Sequence, residues 1–362
     1  MKVSVVKCDS YENKRVREAL EKSLKNIGFK FRKNMKVLIK PNVLSPTPPE
    51  KAVTTHPVIL EELCRILKKE GVKIFVGESS SYSTGEAFEV SGISKLNKYA
   101  EVVNFEGCEK EFFDFPSVRN VPLPKILFDV DLVINVAKLK THVFTGVTLC
   151  VKNLYGCVPG RIKSVYHKKL PSAKKFSKFL LELHDKIKPG LNIIDGIVGL
   201  EGLGPGTAGT PVNSGVVVSG TNAVATDVIA SEIMGFEPYS IYTNEFSRLN
   251  QGSISVVGDK VSLNFQKPSG TYLFLTPFFH QINNFFPRSK ITFDYSKCFK
   301  CGVCERNCPV GAISLSPYPV CDHKKCIKCG CCVETCPNAA VGFRDNLIKI
   351  LAKKIYYGIL KV

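Results

Sequence analysis

The chain has 362 residues, 44% of them hydrophobic, which is enough for two or three domains with buried cores. Its formal net charge of +18 favours anionic partners: phosphorylated or carboxylated small molecules, acidic proteins, anionic lipid or nucleic acid. The first residues lack the apolar run of a secretory signal, no stretch reaches the length of a membrane span, and fifteen cysteines suit a reducing cytoplasm, with an anaerobic host as a corollary.

Residues 1–130 read as alternating strand and helix. Val3–Val6 is expected as a strand. Lys14–Ile27 follows as a helix with Val16, Leu20 and Leu24 on one face, stopping at Gly28. Val37–Ile39 is a second strand, Pro57–Lys69 a second amphipathic helix, and Val72–Val76 a third strand. This order predicts an α/β domain with a doubly wound, mostly parallel sheet, whose ligands bind at the carboxyl ends of the strands. Lys40 and Asn42 fall at one such end. Lys40 reads equally well as an anion clamp and as a solvated lysine.

Leu132–Val136 is nearly all apolar, as expected at the centre of a parallel sheet. It runs into Lys138, Lys140 and His142, which share one face if the chain stays extended. Thr145–Tyr155 reads as a helix with Thr148, Lys152 and Tyr155 on one side. Residues 160–178 then carry seven Lys or Arg and no acid; a solvated basic face accounts for most of them, with Lys163 and His167 assigned to a pocket.

Ser172–Ile187 is expected as a helix, and Leu191–Ile194 as a strand ending in Asp195. Gly204 to Gly209 spells G-x-G-x-x-G, but a strand at 216–219 follows instead of the helix that dinucleotide binding requires, and no flavin motif is present. Gly204 and Gly206 are therefore expected to bring backbone against a ligand, with Asp195 and Glu201 as acidic side chains nearby. Ala223–Met234 reads as a buried helix, where Asp227 is either a structural cap or a catalytic acid. The expected divisions are an α/β domain over 1–267, a Pro- and Phe-rich connector over 268–290, a small α+β module over 291–343 and a basic amphipathic helix over 344–362. The last and the connector together admit a peripheral membrane contact.

The module carries Cys298-x2-Cys301-x2-Cys304-x3-Cys308-Pro309, and the same run from Cys326 through Cys329 and Cys332 to Cys336-Pro337. This is the bacterial two-cluster ferredoxin spacing, in which the fourth cysteine of each run ligates the other cluster. Cys298, Cys301, Cys304 and Cys336 are assigned to one [4Fe–4S] cluster, and Cys326, Cys329, Cys332 and Cys308 to a second. A zinc site would leave the third cysteine of each run idle, and a disulfide scaffold would need an oxidising compartment. Cys321 and Cys331 fall off the pattern and read as small buried thiols. With both clusters bound, the net charge falls to about +14.

The stretches Lys138–His142, Val147–Asn153, Gly156 and Asp195–Gly206 together resemble the family called domain of unknown function 362, over roughly residues 1–265. Members often carry a two-cluster ferredoxin module. The resemblance implies that Lys138, Lys140, His142, Lys152, Asn153, Asp195 and Glu201 belong to one site, without fixing a role for any of them.

Two functions follow. In the first, a redox enzyme passes electrons through the clusters to an anionic substrate or cofactor, with Lys138, Lys140 and Lys152 holding the anion and His142 or His167 giving the proton. In the second, a non-enzymatic carrier or assembly protein docks a redox partner protein. Nucleic-acid binding ranks below both, because no aromatic residues interleave with the basic run.

Overall fold

Alternation along the buried strands sets the layers. On the strand Leu132–His142, Leu132, Ile134 and Val136 join one core with the helices Asn13–Ile27 and Pro57–Lys69. Val133, Ala137 and Leu139 join a second core with the helices Ala173–Ile187 and Ala223–Ile233. A strand buried on both faces needs apolar residues throughout, which is why this segment was legible as a central strand. The structure is a computed structural model and describes residues 1–160, 162–268 and 289–344. Most of the expected connector and the C-terminal amphipathic helix lie outside those residues, as does Arg161 of the basic run.

Among the described residues the main sheet has nine strands. Eight pair in the order Ser255–Gly258, Lys2–Lys7, Gly209–Gly220, Leu191–Gly202, Leu132–His142, Lys36–Lys40, Lys73–Glu78 and Glu101–Asn104. All these ladders are parallel except the two made by Gly209–Gly220. The ninth strand, Gly146–Thr148, folds back antiparallel onto the end of Leu132–His142. The fold is thus the expected mostly parallel α/β sheet with helices on both faces.

Two local expectations fail. Thr145–Tyr155 is not one helix: Gly146, at φ 86°, turns the chain into the short strand, and the helix begins only at Cys150. Asp227 sets that start by accepting the N–H groups of Cys150 and Val151 at 2.7 and 2.9 Å. It is the structural cap, not a pocket acid, and burial pushes its carboxyl up to about 7 although the two backbone N–H groups oppose the shift. The strand from Leu191 also does not stop at Asp195. It continues to Gly202 and forms a long hairpin with Gly209–Gly220, so the glycine-rich run is a hairpin tip.

The C-terminal module is a duplicated unit in its backbone as well as its cysteines. Lys290–Phe293 pairs with Val341–Arg344, and Ile313–Leu315 with Pro319–Cys321. Positive φ recurs at matched positions, Lys300 with Lys328, Gly302 with Gly330, and Gly311 with Ala339. The halves bond reciprocally: Asp294 N–H donates to Ala340 O and Asp322 N–H to Ala312 O, both at 2.8 Å.

The hairpin tip is what docks this module on the sheet. Thr207 Oγ1 donates to Cys336 O at 2.7 Å, and a Cβ on Gly206 would lie 2.4 Å from Glu334 O. A Cβ on Gly204 would lie 2.3 Å from Thr141 O. These glycines therefore admit protein backbone, where the sequence suggested a ligand. Gly206→Val should loosen the docked module. Its visible charge-transfer absorbance should then decay faster in urea than in the wild type, while far-ultraviolet dichroism of the α/β part stays unchanged; equal decay rates would show that the contact does not hold the module.

Candidate functional site

At the carboxyl edge of the parallel strands a cavity lies between the sheet and the cysteine module. Asn42 and Glu78 enter it from strand ends, as expected for such a sheet. Lys140 comes from the central strand, and Thr148, Lys152 and Tyr155 from the segment behind it. Those last three share a face as the sequence suggested, although only Cys150–Asn153 is α-helical. The opposite wall is the module itself: Asn307, Cys331, Glu334 and Thr335. Sequence reasoning missed all four, since the cysteine pattern masks the residues between the cysteines and nothing in it signals which face meets the sheet.

Cations outnumber anions around this cavity. Lys40 is fully buried and paired with Glu78 at 2.5 Å, so it is neither a clamp on a ligand nor a solvated lysine. Lys163 donates to Ser79 O at 2.6 Å, Ser79 Oγ at 3.1 Å and Ser80 O at 3.3 Å, which uses all its N–H groups. Burial brings its pKa down to about 8, although Glu78 opposes the shift. Lys140 donates to Val53 O at 2.7 Å and Pro205 O at 3.3 Å and forms no ion pair with a carboxylate among the described residues. Burial first, and then repulsion by Lys152, hold its pKa well below the ordinary lysine value. Lys152 has no hydrogen bond or ion pair among the described residues; its ammonium lies 5.2 Å from the Tyr155 ring centre and 5.8 Å from that of Phe176.

His142 Nδ1 accepts the N–H groups of Phe144 and Thr145 at 3.0 and 3.3 Å, which places the imidazole proton on Nε2. That nitrogen lies 3.1 Å from Glu334 Oε1. Burial lowers the His142 pKa to about 4 against the pull of Glu334. Burial would raise Glu334, but His142, Lys152 and His167 outweigh it and hold the carboxyl at about 2. The pair is therefore a neutral imidazole facing a carboxylate at neutral pH. His167 stacks on Phe176 at 4.5 Å, its Nδ1 is buried without a partner, and burial lowers its pKa to about 3.

Several expected members belong elsewhere. Lys138 does not join Lys140 at the cavity: the extra residues in the ladder lie on Leu191–Gly202, which sets Asp195 opposite Lys138 but Leu200 opposite Lys140. Lys138 pairs with Asp195 at 2.8 Å, and Tyr11 OH donates to the other carboxylate oxygen at 2.8 Å; His56 N–H completes a satisfied buried cluster. Glu201 instead accepts the N–H of Gln266 at 2.8 Å. Neither Lys138, Asp195 nor Glu201 lines the cavity. Asn153 does, and its Nδ2 donates to Asn135 Oδ1 at 2.8 Å while its Oδ1 accepts from Asn42 Nδ2 at 2.8 Å.

The cysteines gather as the spacing anticipates. Cys298, Cys301, Cys304 and Cys336 line a cavity of about 340 Å³, and Cys308, Cys326, Cys329 and Cys332 one of about 300 Å³. All eight are free thiols. Among the described residues no three Cys, His, Asp or Glu are grouped as for a single metal ion. Ala312 N–H donates to Cys308 Sγ at 3.1 Å and Ala340 N–H to Cys336 Sγ at 3.2 Å, the kind of bond that stabilises a ligating thiolate. Cys331, off the pattern, lines both the second cysteine cavity and the large cavity beside it.

Residues 37–232 match the model of the domain of unknown function family DUF362. The chain belongs to the DUF362 family. Residues 291–314 match the 4Fe-4S binding domain, which makes this DUF362 protein an iron–sulfur protein. It is 30% identical over 253 residues to the thylakoid-associated protein sll1697 of Synechocystis sp., covering 67% of this chain and 77% of the relative. The lactate racemase apoprotein of Thermoanaerobacterium thermosaccharolyticum aligns with 18% identity and a TM-score of 0.36, covering 52% of this chain and 49% of that one. Among the described residues no helix is long and apolar enough to cross a membrane.

The buried neutral histidines fix a pH dependence. Folded-state values of about 3 for His167 and about 4 for His142 lie below the unfolded value. Below about pH 6.5 the unfolded chain therefore binds protons that the folded chain does not, and stability falls as pH falls towards those values. The urea midpoint should drop between about pH 7 and pH 5, and His167→Phe should flatten the slope. A slope unaffected by that substitution would mean that His167 takes up its proton in the folded protein.

Proposed function

We propose that this DUF362 protein is a redox enzyme acting on an anionic substrate or cofactor held between its two parts. Cys298, Cys301, Cys304 and Cys336 would hold one [4Fe–4S] cluster and Cys326, Cys329, Cys332 and Cys308 a second, and these groups supply one-electron transfer. The observation that carries the reading is Cys331, which forms the shared wall of the second cysteine cavity and the lysine-lined cavity. A carrier needs no such enclosed, cationic space beside its cluster.

The chain's own residues divide the work. Lys152, with no hydrogen-bond or ion-pair partner among the described residues, attracts and orients the anion, and Lys140, whose pKa an anion beside it would raise, donates a further N–H to it. His167 Nδ1 is positioned to exchange a proton with the bound molecule. Tyr155 and Phe176 form apolar surface around Lys152 and His167 and limit water there. The carrier reading keeps support from one place. Phe299, 78% exposed, adjoins the solvent-exposed Cys301 and suits a docking redox protein.

Anaerobic reoxidation of the reduced holoprotein separates the two. An anionic metabolite fraction should reoxidise the wild type, and Lys152→Met should slow this by about tenfold or more with iron content unchanged. Reoxidation only by a partner protein, and at the same rate in Lys152→Met, would establish the carrier instead.

A further inference from the structure

The charge balance of the cavity defines its ligand more narrowly than "anion". Lys40 and Glu78 cancel each other. That leaves Lys140, Lys152 and Lys163 against the carboxylate of Glu334 among the described lining residues. Burial lowers the pKa of both Lys140 and Lys152, so an anion bound between them would favour the protonated form of each and supply the counter-charge that neither has among the described residues.

Lys140 and Lys152 line the same cavity. A dicarboxylate holds its charges on separate groups, whereas a phosphate monoester puts both on one tetrahedral head. The free donors suit that head. Lys152 offers three N–H groups and Lys140 one, since two of its three are given to carbonyls. Thr148, 3% exposed, lines the same cavity with its hydroxyl oxygen buried and without a partner. Val43, Leu44 and Pro205 supply apolar wall beside the head.

Resting on the reading of this cavity as the substrate site, we propose that the ligand is a phosphorylated small molecule, its phosphate dianion seated on Lys140, Lys152 and Thr148. Its organic part then extends along Val43, Leu44 and Tyr155. Lys163 and Lys138 take no part, since the first spends its N–H groups on Ser79 and Ser80 and the second is paired with Asp195 outside the cavity.

The test is calorimetric titration of the anaerobic holoprotein at constant ionic strength with phenyl phosphate, inorganic phosphate and succinate. Phenyl phosphate should bind more tightly than inorganic phosphate, and both more tightly than succinate. Lys152→Met should weaken phenyl phosphate binding by about tenfold or more, and Thr148→Val by a few-fold. Lys152 has no structural partner, so Lys152→Met should fold; thermal melting checks this, and Lys152→Arg should recover part of the affinity. No phosphate binding, equal binding by succinate, or wild-type affinity in a folded Lys152→Met would overturn the proposal. Phosphate binding by a protein whose reoxidation no phosphate compound affects would uphold this site while removing the redox-enzyme reading. Reoxidation driven only by unphosphorylated acids would do the reverse.

Discussion

Charge taken out of water at the junction of sheet and module is the constraint on which the rest depends. Four lysines, two histidines and two glutamates come together where five parallel strands end, and each must be satisfied by a partner or by a ligand. The protein satisfies some of them internally. Lys40 with Glu78, and Lys163 with the Ser79–Ser80 backbone, are complete. Breaking a pair of the first kind leaves a lone buried charge, at a cost of about 3–5 kcal/mol. Lys140 and Lys152 have no carboxylate partner of this kind among the described residues.

The module and the sheet share one buried set of charged side chains. Glu334 sits between two cysteines of the second run, yet its carboxylate faces His142 of the central strand. The hairpin that carries Gly204 and Gly206 packs its backbone against Thr141 on one side and Glu334 on the other. A side chain at Gly206 would push the module off the hairpin, and one at Gly204 would push the hairpin off the central strand. The duplicated cysteine unit is thus asymmetric in its surroundings: Cys301 of the first run is exposed, while Cys329, its counterpart, is buried beside the cavity wall.

How far the sequence could be read follows from which signals are local. The cysteine runs and the apolar strand Leu132–Val136 declare themselves because spacing and hydrophobicity are properties of adjacent residues. Thr148, Lys152 and Tyr155 were legible as one face even though only Lys152 lies on the short helix. Lys138 and Asp195 misled for a related reason: strict alternation assumes an unbroken ladder, and the register shift after Lys138 sends it to a different partner from Lys140. The glycine-rich tip looked like a ligand loop because close backbone approach is all that glycine reports, whatever it is that approaches. Glu334, Thr335, Asn307 and Cys331 were invisible, since their role comes from a contact across more than 100 residues of chain between modules.

The central claim is that a cluster borders the lysine-lined cavity at Cys331. Anomalous scattering at the iron edge from crystals grown anaerobically tests this most directly. The account predicts two iron–sulfur cubes, one of them held by Cys308, Cys326, Cys329 and Cys332 against the wall that Cys331 shares with the cavity. Iron at the first cysteine set alone, or zinc at either, would contradict it.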